Sequence, residues 1–153
     1  MANVLHLFRA PNKHLPMEEL SETSAVANSG FLGCAHARPG GKRQVLLVDR
    51  ETLEAMNLQP GTIRENITTD GLNVNGLKAG EQLRIGGASL EVSALCTPCD
   101  QLEKVRAGLR KEMWGRRGMF CRVIEGGTIR RGDSIERVLS ASATHQAAAY
   151  DDL

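Results

Sequence analysis

Aromatic residues are scarce in this 153-residue sequence, which contains one tryptophan, one tyrosine and three phenylalanines. Proteins that bind single-stranded nucleic acid usually stack the bases on aromatic side chains, and this chain offers few of them. An excess of one charge is also missing, because 19 Lys and Arg residues are balanced by 18 Asp and Glu residues. This balance gives no whole-chain attraction to nucleic acid or to an anionic membrane, and we expect neither as a partner. Any basic site must be a local cluster.

Long apolar stretches are missing as well. The sequence contains no apolar run of the length that a membrane-spanning helix requires, so we expect none. The opening segment, residues 1–9, is too short and too polar for a secretory signal peptide. We therefore expect reduced thiols rather than a disulfide framework and a cytoplasmic location. The four cysteines are Cys34, Cys96, Cys99 and Cys121.

Short apolar or alternating runs, separated by glycine-rich turns, predict a series of β-strands. The runs cover residues 2–9, 44–49, 62–69, 82–85, 88–94, 118–124, 128–130 and 134–138. Gly86 and Gly87 form the turn of a predicted hairpin, and Asp49 is the predicted cap of a short helix that ends near Met56. Regular alternation of strands with helices is missing, so the predicted fold class is all-β dominated, a barrel or a sandwich.

The length of the chain favours a single domain. We assign residues 1–138 to this domain because the strand-like runs end there. Residues 139–153 are mostly Ser, Ala and Thr with two aspartates near the end. This composition predicts a disordered C-terminal tail.

The segment from Leu90 to Trp114 changes from strand-like alternation to helical periodicity and carries two cysteines at the change. Four apolar residues then share one face of a 3.6-residue period: Leu102, Val105, Leu109 and Met113. This spacing predicts a helix with Asp100 as its N-cap and Glu103 completing a capping box. The sulfur of Cys99 would lie beside the helix N-terminus, where unpaired N–H groups favour an anion. A thiolate attacks sulfur, binds a soft metal or carries a persulfide, so Cys99 is the candidate catalytic residue.

Cys96, the first cysteine of the pair, has two interpretations. It resolves a persulfide or an oxidised Cys99 as an intramolecular disulfide, or it closes the strand within the core. A strand, Cys-x-x-Cys and a helix also occur in thioredoxin-like proteins, but there the first cysteine attacks and βαβ units flank the motif. Structural zinc needs four ligands, usually from two close pairs, and Cys34 and Cys121 are isolated in the sequence. Cys96 is therefore an accessory candidate.

A glycine-rich loop at residues 30–43 concentrates positive charge. It contains His36, Arg38, Lys42 and Arg43. Charged loops are most often solvated surface, and the alternative here is a phosphate site, for which arginine is suited by its planar fork of donors. Arg64-Glu65-Asn66 poses the same choice between an exposed strand face and a binding face. Arg116 and Arg117 could form the rim of such a pocket.

Several motifs follow one another in an order that is specific as a set. They are Gly33-x-x-His36, Arg-Gln-Val-Leu-Leu at 43–47, Arg-Glu-Asn-Ile at 64–67, Leu-x-x-Gly-x-x-Leu-x-Ile-Gly at 77–86, Leu-Glu-Val at 90–92 running to Pro98-Cys99, and the glycine-rich closing segment at 118–133. This order resembles the MOSC domain, the module related to the C-terminal domain of molybdenum-cofactor sulfurases. The resemblance covers residues from about Leu5 to Val138.

The resemblance implies a MOSC-type β-barrel with a few short helices and a basic pocket beside one reactive cysteine. Cys99 falls on the family cysteine, which ligates the metal in molybdenum-bearing relatives and holds a persulfide in the proposed sulfur carriers. Arg64 and Asn66 fall on the family Arg-x-Asn, which lies by the pterin phosphate in cofactor-bearing relatives. Further candidates for binding the cofactor are Arg43, His36 and Arg38. Two positions depart from the family pattern: Cys34 replaces a frequent Asp, and Cys96 is an additional cysteine.

We therefore predict a protein that binds the molybdenum cofactor, molybdopterin, with Cys99 as the metal ligand or as a persulfide that delivers sulfur to a molybdenum centre. The sulfur donor would be a cysteine desulfurase, and the acceptor a molybdoenzyme. One alternative is a molybdenum-dependent reductase of N-hydroxylated compounds that receives electrons from a partner protein. Another is a non-catalytic binding module for a phosphorylated ligand. The sequence leaves open whether the activity is sulfurtransferase-like or that of an oxidoreductase.

Overall fold

The computed structural model describes residues 1–138, and the predicted tail at 139–153 lies outside them. The strands are β1 Asn3–Arg9, β2 Glu18–Leu20, β3 Glu22–Val26, β4 Gly30–Phe31, β5 Val45–Asp49, β6 Ile67–Asp70, β7 Gln82–Ile85, β8 Ala88–Leu95, β9 Met119–Glu125, β10 Gly127–Arg130 and β11 Ile135–Val138. The helices are α1 Arg50–Ala55, α2 Gln101–Val105 and α3 Leu109–Glu112, with a 3₁₀ turn at Val74–Gly76.

Eight strands form one sheet in the order β11-β7-β8-β9-β5-β6-β1-β2, and β10-β3-β4 form a second. Only β5 and β6 pair in parallel within the described chain. The larger sheet curls until the residues before β11 meet β1, where the Val4 N–H donates to the Asp133 carbonyl and the Ile135 N–H donates to the Ala2 carbonyl. The sheet-dominated class is thus confirmed, whereas closure into the expected barrel is not, because both strand orders are open.

Strand β5 is buried along its whole length and separates two apolar clusters. Successive side chains of a strand point to opposite faces. Val45 and Leu47 accordingly join the main core, whereas Leu46 and Val48 join a smaller cluster with the helices. Cys96 belongs to this smaller cluster. The packing of α2 and α3 on the outer face of β5 therefore fixes where the end of β8 and its thiols lie.

Local sequence signals predict several elements correctly. Asp49 caps α1, since its carboxylate accepts a hydrogen bond of 2.8 Å from the Thr52 N–H. The hairpin of β7 and β8 turns at Gly86 and Gly87, with Ile85 opposite Ala88. Within residues 1–138, no helix has the length and apolar character needed to cross a membrane.

Two predicted elements are wrong in part. The strand expected at 62–69 begins only at Ile67, because Arg64 adopts a left-handed backbone conformation with φ of 66° that an extended strand does not contain. The single helix expected after Cys99 is two short helices, separated where Gly108 turns the chain with φ of 84°. Val105 is consequently exposed instead of packing with Leu102.

Strands β2 and β3 have no counterpart among the predicted strands. In β3, alternate residues are buried, but the buried positions are Thr23 and Ala25 and the exposed ones include Val26. Burial alternates along this strand, but hydrophobicity does not. A hydrophobic pattern does not detect such a strand.

Candidate functional site

The predicted site residues come from separate stretches of sequence and meet in one cavity of about 240 Å³, which we call the thiol cavity. Its walls are formed by His36, Arg38, Arg43, Leu46, Arg64, Cys96, Thr97, Cys99, Gln101, Arg117 and Phe120. None of these walls carries a carboxylate among the residues that the structure describes. The thiol cavity is therefore a basic pocket that contains two thiols. Asn66 does not line it, and neither do Lys42 of the basic loop or Arg116 of the predicted rim.

The two thiols of the thiol cavity differ in their surroundings. Cys99 is exposed and Cys96 is buried, and both are free cysteines. Burial raises the pKa of the Cys96 thiol, and Arg117 and Arg43 oppose this effect only in part. A protonated thiol is a poor nucleophile and a poor metal ligand. Of the two thiols, Cys99 is the one that a reactant from solvent reaches directly.

The argument from a helix N-terminus does not apply to Cys99 in this structure. Helix α2 contains five residues, and Asp100 makes no side-chain capping hydrogen bond. Its carboxylate instead pairs with Arg110 at 2.6 Å. A helix of little more than one turn has only a small dipole, so the distinction of Cys99 rests on its exposure and on the arginines around it.

The basic loop before β5 is held in place by one buried side-chain amide, that of Gln44. Its Nε2 donates to the carbonyls of Arg38 and Gly41 at 3.2 and 3.0 Å, and its Oε1 accepts from the Val123 N–H at 2.9 Å. Gln44 thereby ties the loop to β9. The guanidinium of Arg43 lies over the Phe120 ring, 5.7 Å from its centroid, a distance at which cation–π attraction is effective. The loop is thus an ordered wall of the thiol cavity.

Arg64 combines an unusual backbone conformation with a clamp on a distant loop. Left-handed φ is uncommon outside glycine and concentrates at functional positions. The Arg64 guanidinium donates to the carbonyls of Leu15 and Asn12 at 2.7 and 3.0 Å. The turn therefore directs the guanidinium to the cavity wall, where it also orders the loop at residues 11–16.

Asn66 lies behind the wall of the thiol cavity and is fully buried. Its Oδ1 accepts from the Leu46 N–H at 3.0 Å, and its Nδ2 donates to the Phe8 carbonyl at 3.2 Å and to the Cys34 sulfur at 3.4 Å. These bonds join β1, β5 and β6 at one point. Asn66 therefore positions the wall, and a direct contact with a ligand stays a prediction that this arrangement does not favour.

His36 faces the thiol cavity as a neutral imidazole. Burial lowers its pKa, and the nearby positive charges of Arg64, Arg38 and Arg117 lower it further. A hydrogen bond between His36 and Asn66 acts in the opposite direction. A neutral imidazole has one donor and one acceptor nitrogen, so His36 adds a hydrogen-bonding group to the pocket without adding charge.

Cys34, which the sequence resemblance aligns with a frequent Asp, lies where several donors need an acceptor. The sulfur accepts from the Ala10 N–H at 3.3 Å, from the His36 N–H at 3.4 Å and from Asn66. Three donors therefore converge on one buried atom. In this chain the sulfur performs the acceptor function that a carboxylate would perform.

Replacing Cys34 by alanine is expected to lower the free energy of unfolding by about 1–3 kcal/mol more than replacing Cys121 by alanine, because it leaves buried donors without a partner. Cys121 is a matched control, since it is also fully buried in the core. Urea unfolding measures both losses, and Cys34→Ser should recover part of the difference because the hydroxyl accepts hydrogen bonds. Equal losses at the two positions would show that the sulfur of Cys34 only fills space.

Arg117 is the site residue that sequence patterns identified only as part of a possible rim. Only 7% of it is exposed, and its Nη2 donates to the Ile63 carbonyl at 2.6 Å. Its Nε and Nη1 have no hydrogen-bond partner within the described part of the chain. One sequence feature could have identified Arg117 as a site residue. It lies directly before Gly118 and strand β9, so the start of the strand carries it into the sheet.

Glu65 is a fully buried carboxyl group next to the arginines of the site. Its Oε2 accepts from the Gly61 N–H and from the Thr68 hydroxyl, both at 2.9 Å, while its Oε1 has no partner within residues 1–138. Burial raises the pKa of Glu65, and the hydrogen bonds and Arg117 oppose the shift. The net shift is upward, so ionisation of Glu65 is less favourable in the folded protein than in the unfolded chain.

Replacing Glu65 by glutamine is expected to flatten the pH dependence of stability above pH 4.5. The folded protein keeps a proton that the unfolded chain, with its ordinary pKa of 4.5, releases. The free energy of unfolding of the wild type therefore falls as the pH rises from 4.5 towards the raised folded pKa. Urea unfolding between about pH 4 and pH 8 tests this, with exposed Glu136→Gln as the control. Parallel curves for wild type and Glu65→Gln would contradict it.

The fold and the site together define a small, sheet-rich domain that presents one exposed thiol in an arginine-lined pocket. The MOSC domain family model matches residues 19–136, and the chain belongs to the MOSC domain family. This family is associated with binding of the molybdenum cofactor. None of the curated proteins compared with the chain matches it.

Several solved structures share the fold of this chain. The YuaD protein from Bacillus subtilis gives a TM-score of 0.78 at 20% identity, covering 91% of this chain and 97% of its own. YiiM from Geobacillus stearothermophilus gives 0.77 at 18% identity, covering 99% of this chain and 85% of its own. YiiM from Escherichia coli gives 0.67 at 20% identity, with coverages of 97% and 78%. Identities this low establish similarity of the fold alone.

Proposed function

We propose that the chain binds a molybdopterin-type cofactor in the thiol cavity and that Cys99 supplies its sulfur ligand. The observation that carries this proposal is the meeting of an exposed thiol with the guanidinium groups of Arg38 and Arg43 in a cavity without carboxylates. Such a cavity attracts an anion and offers it a soft ligand. A phosphorylated cofactor that contains molybdenum matches both features, because its phosphate is an anion and its metal accepts a sulfur ligand.

The donor set fits this class of cofactor. A sulfur ligand suits a soft metal environment, and arginine suits a phosphate because its planar fork matches the phosphate oxygens. Within residues 1–138, no group of three or more His, Cys, Asp or Glu side chains is arranged to hold a metal ion. The metal would therefore arrive in a cofactor, with Cys99 as the ligand from the protein.

Residues of the cavity and of its supporting walls have defined parts in this proposal. Arg43 and Arg38 bind the anionic end of the cofactor, and His36 donates or accepts a hydrogen bond as a neutral group. Gln44 and Asn66 keep the walls at fixed positions. When bound, the cofactor would supply a molybdenum centre for sulfur or electron transfer. Reduction of N-hydroxylated compounds, with electrons from a partner protein, would be an activity of the same loaded cavity.

The second candidate is a sulfur carrier, and the exposure of Cys99 favours it. The Cys99 thiolate attacks the outer sulfur of a persulfide on a donor such as a cysteine desulfurase. A new S–S bond forms at Cys99, the S–S bond of the donor breaks, and the donor leaves as a thiolate, so that no external oxidant is needed. The sulfane sulfur would then pass to a reduced molybdenum centre in an acceptor enzyme, which would supply the two electrons that convert it to a sulfide ligand and would release Cys99 as a thiolate.

One purification separates the candidates. The protein is isolated from its native host, its molybdenum and fluorescent pterin are measured, and its intact mass is recorded after treatment with a persulfide donor. Stoichiometric molybdenum and pterin would support the cofactor-binding protein. A mass gain of one sulfur without molybdenum would support the carrier. If neither is found, both fail and a binding module for another phosphorylated ligand is left.

A further inference from the structure

A second and larger cavity adjoins the thiol cavity. It has a volume of about 450 Å³, and we call it the adjoining cavity. The two cavities share Arg64, Gln101 and Arg117 as common walls. Neither Cys99 nor Cys96 lines the adjoining cavity. It is therefore a separate compartment that meets the thiol cavity at two arginines.

The walls of the adjoining cavity combine positive charge with apolar surface. Lys13 and Lys104 extend the charge beyond the two shared arginines. Apolar side chains form much of the remaining wall: Phe8, Met17, Ile63, Leu102 and Val105. Among the residues that the structure describes, no acidic side chain lines this cavity. An inorganic anion would use only the charged part, so the walls suit an anion that carries an apolar body.

Arg117 stands where the two cavities meet. Its guanidinium is buried, and two of its nitrogens lack partners, an arrangement that is costly for a charged group unless an anion binds. Glu65 is a buried carboxyl group whose pKa is raised by burial and lowered in part by Arg117. Arg64 uses donors to hold the carbonyls of Leu15 and Asn12 and has further N–H groups on the same fork. The junction therefore has unused capacity for an oxyanion.

We propose that the adjoining cavity is a second binding site, specific for a nucleoside phosphate, with the phosphate on Arg117 and Arg64 and the nucleoside between the apolar walls and the two lysines. Phosphate recognition by arginine forks is strong and directional. A nucleoside offers the flat, partly apolar body that the other walls require, and it is far larger than a phosphate ion. The site depends on neither Cys99 nor a bound cofactor.

Calorimetric titration of the purified chain with adenosine diphosphate, adenosine and pyrophosphate tests the proposal. Adenosine diphosphate is expected to bind more tightly than either fragment, because only the whole molecule uses both the junction and the apolar walls. Arg117→Lys should weaken its binding about 10- to 100-fold, since lysine lacks the fork that makes charged hydrogen bonds to the phosphate. Lys13→Ala/Lys104→Ala should weaken it about 2- to 10-fold, and added salt should reduce that difference.

The control for the lysine pair is Lys78→Ala/Lys111→Ala. These two lysines are exposed and line neither cavity, so this variant has the same net charge but intact cavity walls. The lysine-pair variants also protect the test if Arg117→Lys does not fold. Equal affinities in both double variants, or equal affinities for adenosine diphosphate and pyrophosphate, would overturn the proposal.

Cys99→Ser separates this inference from the proposed function. It is expected to keep the wild-type affinity for adenosine diphosphate even though it removes the thiol. Molybdenum and pterin in the native protein without nucleotide binding would sink this inference and leave the proposed function intact. If the protein binds the nucleotide but shows no molybdenum, pterin or sulfur transfer, the proposed function is wrong and this inference stands.

Discussion

Replacing Cys99 by serine is expected to remove molybdenum from the protein isolated from its native host and to abolish the mass gain of one sulfur after treatment with a persulfide donor. Serine offers a hard oxygen that neither binds a soft metal centre as a thiolate does nor forms a persulfide. Cys96→Ser should leave at least one of these properties in place, because Cys96 is buried and burial raises its pKa. Metal analysis and intact mass spectrometry of the two variants measure the difference.

The comparison of the two variants also decides between one thiol and a pair. If Cys96→Ser loses as much metal or sulfur as Cys99→Ser, the two cysteines act together, and the assignment of Cys99 as the single reactive group is wrong. An unchanged metal content and sulfur uptake in Cys99→Ser would contradict both versions of the proposed function. Circular dichroism of each variant checks whether the fold is preserved. Cys99 is exposed, so its substitution should leave stability nearly unchanged.

Local signals predicted the parts of the fold that depend on local physics. The cap at Asp49 and the turn at Gly86 and Gly87 each involve neighbours in sequence, and both are present. The single helix predicted after Cys99 was wrong because hydrophobic periodicity does not register a break in the helix: α2 ends at Val105, and Gly108, with its left-handed φ, stands directly before α3. The strand predicted at residues 62–69 was wrong at Arg64 for a related reason, since nothing in an arginine side chain signals a left-handed backbone.

Much of the candidate site was predicted only through the resemblance to a family. Composition and spacing favoured a solvated loop for Arg38 and Arg43, and the ordered motifs changed this preference. The structure brings both arginines to the thiol cavity. Sequence patterns could not show that Gln44 and Asn66 are buried supports of the cavity walls, because both residues are as polar as residues on the surface. Their burial follows from backbone groups of distant strands that need partners.

The site is therefore built in two layers with different electrostatics. Positive side chains face the cavities, and behind them the amides of Gln44 and Asn66 bind backbone groups without adding charge. A charged residue in the second layer would need a counter-charge in the core. Glu65 is the exception, and burial displaces it towards its neutral form. Neutral supports thus keep the arginines available to an anionic ligand.

Asn66 provides the strongest test of this two-layer arrangement. Asn66→Ala leaves the Leu46 N–H and the Phe8 carbonyl buried without their partner, and the free energy of unfolding is expected to fall by about 3 kcal/mol. For a chain of this length the melting temperature should decrease by about 6–12 °C. Asn66→Asp should be at least as destabilising as Asn66→Ala, because it buries a carboxylate without a counter-charge and sets one of its oxygens against the Phe8 carbonyl. Thermal and urea unfolding measure these changes.

Asn75→Ala is the control for loss of an amide outside the site. The Asn75 Nδ2 donates to the Thr52 hydroxyl at 3.1 Å on a partly buried side chain, so the expected loss of stability is small. Measuring the affinity for phosphate then shows whether Asn66 supports the cavity wall or contacts the ligand. If Asn66 only supports the wall, phosphate affinity in Asn66→Ala should recover when a stabilising agent restores the folded population. If stability is unchanged in Asn66→Ala while phosphate affinity falls, Asn66 contacts the ligand directly, and the wall must open to let it do so.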